Sequence, residues 1–198
     1  VFEVLRKRDV VSQLMVVGPI SSFRPWEEEY ERCFADRPSS LRWSGAVGSR
    51  RRLIPSFSSA DMVLCSYDTA VRDEAVLADL LTNNSVLLII DESHYIKSFD
   101  LGARARCLIN LAPSAAARLV LTGTPAPHSL LDLYSQLEVL WPHTVEDAIG
   151  TRMQFKSFLQ NAEAPGRQLR NRVGSLFHRT TQNELHLPEP SWRLITLG

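Results

Sequence analysis

Two adjacent carboxylates, Asp91 and Glu92, come directly after five aliphatic residues at 86–90. An apolar run of this kind predicts a buried strand, and acidic side chains rarely end such a strand without a partner. Magnesium prefers oxygen ligands such as carboxylates, and a second carboxylate beside the ion can orient or deprotonate a water molecule. Taken alone, the pair is equally consistent with a helix N-cap followed by a solvated carboxylate.

Further polar groups follow the ends of the predicted strands. They are Ser93–His94 after the acidic pair, Gly18–Pro19, Ser66–Tyr67 and Thr122–Gly123–Thr124. In an open parallel sheet, ligands bind outside the carboxyl ends of the strands, because helix N-termini and loops meet there. We therefore expect these groups to line one cleft.

The elements that must position these groups alternate along the chain. Apolar runs predict strands at 13–19, 41–45, 60–67, 86–90 and 117–124. The helices are predicted at 1–8, 25–35, 69–82 with Asp68 as its cap, and 102–112, while the basic stretch 48–59 is expected to be a connection. Apolar strands separated by helices predict an α/β fold with a parallel sheet covered on both faces.

The chain from Ser129 onward is predicted to be mostly helical. Ser129 with Asp132, and Thr144 with Asp147, have the spacing of capping boxes, and they open amphipathic stretches at 130–141 and 145–160. A third helix is expected at 167–179, followed by a proline-rich break at 185–190 and a final strand at 193–197. We expect residues 1–142 to form the core domain and 143–198 a helical extension that closes it.

Composition narrows the possible partners. Lys plus Arg and Asp plus Glu both number 22 among 198 residues, so contact with nucleic acid must come from a local patch. The three cysteines are far apart, and His94 has no second histidine at ligand spacing, which argues against a disulfide framework and a zinc site. No apolar run approaches the roughly 20 residues that span a bilayer, and the N-terminal residues do not resemble an export signal. We expect an intracellular location and no membrane partner.

Several segments, taken together and in order, resemble the first motor lobe of superfamily-two helicases, and within it the Swi/Snf-type ATPases that translocate on double-stranded DNA. The acidic box of that family is similar to DESHYIK at 91–97, and its next block to LTGTPAPHSLLDLYSQLEVLWP at 121–142. The other matching segments are LMVVGPISSFRPWEEEYERCF at 14–34, VLCSYDTAVRD at 63–73 and LFHRTTQNELHLPEP at 176–190. The resemblance implies a three-layer RecA-like domain with a C-terminal helical segment.

The resemblance also implies roles for the polar groups. Asp91 would hold Mg²⁺ through water and nucleotide in a Walker B, DEAH-like box, and Glu92 would act on the attacking water during ATP hydrolysis. The expected coupling residues between nucleotide and the rest of the motor are Ser93, His94, Thr122, Gly123 and Thr124. Read without the family, His94 is a hydrogen-bonded histidine at the rim, and the threonines simply end a strand.

Contact with duplex DNA is expected to be independent of sequence, through groups that touch the phosphate backbone. The candidate positions are Pro19, Ile20, Ser21, Ser66, Tyr67, Lys97, Arg50, Arg51 and Arg52. Read as a charge run, the three arginines form a solvated loop, and Lys97 is a surface lysine.

One expected motif does not occur in the chain. Superfamily-two motors carry G-x-G-K-[ST], whose backbone amides and lysine bind the β- and γ-phosphates. None of the nine glycines here is followed by Lys-Ser or Lys-Thr. We therefore expect the chain to begin just after that loop, to need a second RecA-like lobe, and to hydrolyse no ATP alone. The alternatives are a non-catalytic lobe that binds DNA or a protein partner, and a restriction-type superfamily-two helicase.

Overall fold

The computed structural model describes residues 1–34, 39–96, 102–126 and 129–178. Five parallel strands form one sheet, in the order β2-β3-β1-β4-β5. Their bounds are β1 Gln13–Gly18, β2 Ser40–Trp43, β3 Met62–Ser66, β4 Val86–Ile90 and β5 Ala117–Val120. The predicted α/β fold with a parallel sheet is confirmed.

The register of the strands brings their carboxyl ends to one edge of the sheet. Gly18 pairs with Ser66, Val17 pairs with Ile90, and Ile90 pairs with Val120. The residues that follow these four strands therefore begin side by side. This edge is the one at which the sequence places its polar groups.

Eleven α-helices lie in the described ranges. Those before β4 are α1 Phe2–Lys7, α2 Phe23–Cys33, α3 Val47–Arg51, α4 Ile54–Phe57, α5 Tyr67–Arg72 and α6 Glu74–Asn83. Those after β4 are α7 Ala103–Leu111, α8 Leu133–Leu140, α9 Val145–Ile149, α10 Arg152–Asn161 and α11 Pro165–Val173. Short 3-10 turns at Ile20–Ser22, Ser93–Ile96, Ala112–Ser114, Leu130–Asp132 and Gly174–Leu176 complete the pattern.

Helices cover both faces of the sheet. Along β1, Met15 and Val17 belong to one apolar cluster, and Leu14 and Val16 belong to the other. This alternation follows from the strand period of two residues. The first cluster also takes side chains from α6, α7 and α8, and the second takes side chains from α1 and α2. The result is the three-layer arrangement that the sequence predicts.

The single helix predicted at 69–82 is in fact two helices. α5 ends at Arg72 and α6 begins at Glu74, while Asp73 between them adopts a non-helical conformation. The predicted cap is also wrong, because the side chain of Ser66, rather than Asp68, accepts a hydrogen bond from the backbone N–H of Thr69. The apolar periodicity continues across the break, which explains why the sequence pattern did not reveal it.

Asp73, the residue between α5 and α6, binds a buried arginine. Its carboxylate accepts two hydrogen bonds from the guanidinium of Arg50, one of them 2.8 Å long from Nη2 to Oδ1, and one of 2.8 Å from Trp43 Nε1. Arg50 also donates to the backbone oxygen of Gly45, and its side chain is only 3% exposed. The stretch 48–59 therefore contains α3 and α4 and part of the core, rather than only a solvated connection.

The amphipathic stretch predicted at 145–160 is likewise interrupted. Gly150 has a φ of 82°, and Thr151 with Gln154 forms a capping box that begins α10. Thr144 makes no side-chain cap, so the capping box predicted there is wrong, whereas the one predicted for Ser129 and Asp132 is confirmed. A side chain at Gly150 would meet Gln154 Oε1 at 2.9 Å, so both the conformation and the space favour glycine.

The chain divides into two units, Val1–Ala162 and Glu163–Gly198. The boundary predicted after residue 142 lies inside the first unit. α10 packs there against α8, with the rings of Tyr134 and Phe155 5.4 Å apart and an ion pair between Arg152 and Glu138. The second unit contains α11, and the strand predicted at 193–197 lies outside the described residues. Among the described helices, none is both long and apolar enough to cross a membrane.

We predict that Asp73→Asn lowers the free energy of unfolding by about 3 kcal/mol at neutral pH, because the buried guanidinium of Arg50 loses its counter-charge. The hydrogen bonds from Arg50 hold the pKa of Asp73 below its usual value. This contribution is therefore complete above the unfolded-state pKa of about 4 and is lost as the pH falls through the lower folded-state pKa.

Urea unfolding at pH 7 and at decreasing acidic pH measures both effects. Glu28→Gln is the matched control, because it removes a carboxylate from the exposed Arg24–Glu28 pair and should change stability little. An equal loss in the two variants, or a loss in Asp73→Asn that does not shrink in acid, would contradict the prediction.

Candidate active site

Asp91 directly follows β4, and its side chain accepts a hydrogen bond from an indole N–H. Its backbone N–H donates to Val17 O at 2.9 Å, and its Oδ2 accepts from Trp26 Nε1 at 3.0 Å. Within the described ranges, no lysine, arginine or histidine forms an ion pair with this carboxylate. A Cβ at Gly18 would approach Asp91 Cβ to 3.0 Å, so glycine there makes room for the side chain. The contact with Trp26 thus orients the Asp91 carboxylate.

The donor set at Asp91 fits a hydrated magnesium ion bound together with a nucleotide. No group of three or more His, Cys, Asp or Glu side chains in the described part of the chain could hold a metal ion. A protein site with one carboxylate suits Mg²⁺, which retains waters and takes further oxygens from phosphates. Asp91, at the sheet edge, could hold such an ion.

Glu92 adopts a backbone conformation that is unusual for a residue with a side chain. Its φ is 53°, in the left-handed region, which costs about 1–2 kcal/mol per residue. Its side chain is 46% exposed, and Oε2 lies 3.1 Å from Nδ1 of His94. That distance is within ion-pair range, yet the nitrogen has no partner in the described residues with hydrogen-bond geometry. The ring of His94 stacks on Tyr95, with centroids 4.5 Å apart.

Ser93 connects the acidic box to the next loop through a buried glutamine. It is fully buried, its N–H donates to Leu121 O at 2.9 Å, and its Oγ donates to Gln136 Oε1 at 2.8 Å. Gln136, on α8, donates in turn to Pro125 O at 2.6 Å and to Asp132 O at 3.1 Å. One side-chain amide therefore joins the acidic box to the loop 121–126.

Gln136 was not among the residues predicted for the site. Its sequence signal is a polar residue on the apolar face of LLDLYSQLEVLW, where leucine or valine is expected. The side chain is only 4% exposed. A buried amide requires partners, but the sequence does not show where those partners lie.

A bend formed by Thr122, Gly123 and Thr124 follows β5, next to the segment that pairs with the acidic box. Leu121 N donates to Ile90 O at 2.8 Å, which extends the pairing of β5 with β4, and Thr124 N donates to Thr122 Oγ1 at 3.1 Å. Gly123 has open space where a Cβ would lie. Thr122 directly follows Leu121, whose backbone oxygen accepts from Ser93 N–H, and no described contact requires glycine at 123.

Among the residues expected to contact DNA, those that follow β1 and β3 lie at the same edge but differ in exposure. Ile20 and Ser21 are exposed in the 3-10 turn after β1, and Pro19 is partly buried. Ser66 caps α5, whereas Tyr67 is only 4% exposed. Lys97 lies outside the described residues.

The three adjacent arginines also differ. The guanidinium of Arg50 is buried and already paired with Asp73, so we leave it out of any group that binds phosphate. Arg51 and Arg52 are exposed at the end of α3, and no partner of either is described. Only these two charges of the run remain available at the surface.

Residues 2–197 match the family model of the SNF2-related domain. The chain belongs to this family. The resemblance to the Swi/Snf-type first lobe is thereby confirmed. This SNF2-related domain is 32% identical over 131 residues to the human DNA annealing helicase and endonuclease ZRANB3, covering 65% of this chain and 12% of that protein.

A second relative is the TATA-binding protein-associated factor MOT1 of Saccharomyces cerevisiae, 32% identical over 142 residues, which cover 72% of this chain and 7% of that protein. The SNF2-related domain thus spans about a tenth of these curated relatives. Among solved structures, it is similar to the SWI2/SNF2 ATPase core of Sulfolobus solfataricus in complex with dsDNA. The TM-score is 0.73 at 22% identity, covering 91% of this chain and 36% of that one, so the likeness establishes the RecA-like fold.

We predict that Gln136→Leu lowers the free energy of unfolding by about 2 kcal/mol, because Ser93 Oγ and Pro125 O lose their buried partner. Ser93→Ala should cost less, and the double variant should cost less than the sum of the two single variants. Urea unfolding of the wild type, the two single variants and the double variant gives the coupling free energy between Ser93 and Gln136. Strict additivity would show that the two side chains do not interact.

Proposed function

We propose that this SNF2-related domain is the first lobe of an ATP-driven motor that moves along duplex DNA. The observation that carries the proposal is Asp91, a carboxylate at the sheet edge that is held by an indole N–H and has no cationic partner in the described residues. Beside it, Glu92 holds a strained backbone conformation, and strain of this kind clusters at active sites. Family membership supports the same function.

Each residue of the acidic box has one task in this proposal. Asp91 would hold Mg²⁺ through a bridging water, with the terminal phosphates of the nucleotide as further ligands. When bound, the ion neutralises charge that develops on the phosphoryl group. The carboxylate of Glu92, which is half exposed, orients the attacking water and accepts its proton. His94, against the glutamate, restricts where that carboxylate can point.

The buried hydrogen bonds around Ser93 provide the proposed coupling. A chain of hydrogen bonds runs from Leu121 O through Ser93 and Gln136 to Pro125 O. If the acidic box shifts when the γ-phosphate leaves, this chain displaces the loop that contains Thr122 and Thr124. Because these groups are buried, an alternative arrangement must satisfy each of them again. Such a network favours two discrete states over gradual deformation.

We further propose that these 198 residues do not hydrolyse ATP alone. They contain no G-x-G-K-[ST] sequence, so the β- and γ-phosphates need groups from elsewhere in a larger protein, including a second RecA-like lobe. A non-catalytic lobe that binds DNA or a protein partner remains the second candidate, and the lack of that sequence is the observation in its favour. The strained Glu92 beside Asp91 favours catalysis.

We predict that Glu92→Gln in the full-length protein reduces the ATP turnover number by at least about a thousandfold while leaving the affinity for ATP within about threefold. The amide preserves the shape of the side chain but cannot accept a proton from water. The isolated chain should show no turnover above buffer. Steady-state phosphate release measures the turnover of the full-length protein and of the isolated chain. Glu28→Gln is the control for loss of an exposed carboxylate.

Normal turnover in Glu92→Gln would exclude the proposed role of this residue. Turnover by the isolated chain that Glu92→Gln abolishes would show that the domain is complete for hydrolysis. Absence of any turnover in the full-length wild-type protein would favour the non-catalytic lobe.

DNA contact is proposed at the edge that carries Pro19, Ile20, Ser21 and Ser66, with Arg51 and Arg52 adding phosphate contacts. The exposed backbone of the 3-10 turn after β1 and the N-terminus of α5 can donate hydrogen bonds to phosphate oxygens. Contacts of this kind read no bases, so binding should be independent of sequence. Lys97 stays a prediction from the sequence.

We predict that Arg51→Ala/Arg52→Ala weakens duplex binding by the full-length protein and makes its salt dependence shallower. Each lost phosphate contact should reduce the slope of log K against log salt by about 0.9. Fluorescence anisotropy at several salt concentrations gives the slope. The matched control, Arg32→Ala/Arg106→Ala, removes two exposed arginines from α2 and α7 and should keep the slope. Equal slopes in all three proteins would remove Arg51 and Arg52 from the DNA site.

A further inference from the structure

The hydroxyl of Tyr67 reaches the backbone of the acidic box. Tyr67 is the first residue of α5, and its Oη donates to Asp91 O at 2.6 Å, with Glu92 O 3.4 Å away. Asp91 O belongs to the peptide that joins the two acidic residues. A single hydroxyl thus lies against the two carbonyl oxygens on either side of Glu92.

The backbone at Asp91–Glu92 must be stabilised by contacts from other parts of the fold. Glu92 has a φ of 53°, a conformation that residues with a Cβ rarely adopt and that persists only where surrounding contacts enforce it. On one side the N–H of Asp91 is fixed to Val17 O, and on the other the N–H of Ser93 is fixed to Leu121 O. Between them, the peptide that determines the direction of the Glu92 side chain is held by Tyr67.

The ring of Tyr67 is itself fixed in place. It is only 4% exposed, and the guanidinium of Arg104 lies 5.7 Å from its centroid and 5.6 Å from that of Tyr95. Asp68 holds Arg104 through an ion pair of 2.7 Å, and Ser66 caps the helix on which Tyr67 begins. Burial raises the pKa of Tyr67 above its usual value.

We infer that Tyr67 is a positioning residue for ATP hydrolysis: its hydroxyl fixes the Asp91–Glu92 peptide so that the Glu92 carboxylate faces the attacking water. The inference rests on the proposed function. It replaces the expectation that the Tyr67 side chain contacts DNA, because a buried hydroxyl bound to backbone carbonyls does not reach a phosphate. It also gives α5, whose N-terminus lies at the proposed DNA edge, a direct connection to the residue that acts on water.

Tyr67→Phe in the full-length protein tests this, because it removes one oxygen and preserves the ring. We expect the turnover number for ATP to fall about tenfold and the KM for ATP to stay within about twofold, since a positioning role affects the transition state more than binding. Tyr134→Phe is the matched control: its hydroxyl also donates to a backbone carbonyl, Gly150 O at 2.8 Å, but away from the acidic box. It should leave both constants unchanged.

Hydrogen exchange in the same full-length proteins supplies a readout that does not depend on hydrolysis. Tyr67→Phe should accelerate exchange in the peptide 91–96 about tenfold, and Tyr134→Phe should not. A normal turnover number in Tyr67→Phe, or a loss matched by Tyr134→Phe, would overturn the inference. If the wild-type protein shows no Glu92-dependent turnover, the proposed function fails by itself, and unchanged exchange in Tyr67→Phe would then refute the positioning role as well.

Discussion

The carboxylate of Asp91, which has no cationic partner among the described residues, is the feature on which the candidate site depends. A carboxylate at the end of a buried strand is costly unless it is hydrated, paired or bound to a metal ion. Here the protein provides one indole N–H, from Trp26, and no cationic side chain within the described residues. Asp91 is only partly buried at this edge of the sheet. That arrangement is suited to an ion that arrives with a ligand.

The backbone around this charge is determined by three neighbouring elements. β1 holds the amide of Asp91, the segment after β5 holds the amide of Ser93, and α5 holds the carbonyl of Asp91 through Tyr67. Glu92 lies within this framework in a strained conformation. These contacts come from β1, from the segment after β5 and from the helix after β3, so the parallel register of the sheet is what assembles the site. Buried side chains then connect it to the loop 121–126 through Gln136.

The sheet and the location of the site could be predicted from the sequence because strands buried on both faces are continuous apolar runs. The polar residues that end those runs meet at one edge in any parallel sheet. The helix breaks at Asp73 and Gly150 could not be predicted in the same way, because apolar residues recur on both sides of each break. Helical periodicity describes which face is buried, not where the backbone turns.

Other features depend on partners distant in sequence. Arg50 is one of three adjacent arginines that indicate a solvated loop, yet its partner Asp73 lies 23 positions away and draws it into the core. Gln136 is recognisable as a polar residue on an apolar helix face, but its link to Ser93 spans 43 positions. The contact of Tyr67 with Asp91 O could not be predicted from residue types, because the acceptor is a backbone carbonyl, which every residue has. Residue patterns identify the groups at the edge, and tertiary structure determines which of them touch.

The most direct measurement is the affinity of the full-length protein for ATP, by titration calorimetry, with and without magnesium, in the wild type and in Asp91→Asn. If Asp91 holds the ion, magnesium should tighten binding in the wild type by about tenfold or more, and this gain should disappear in Asp91→Asn, whose side-chain oxygen can still accept from Trp26 Nε1. An equal magnesium effect in both proteins would show that the charge at the end of β4 has another purpose.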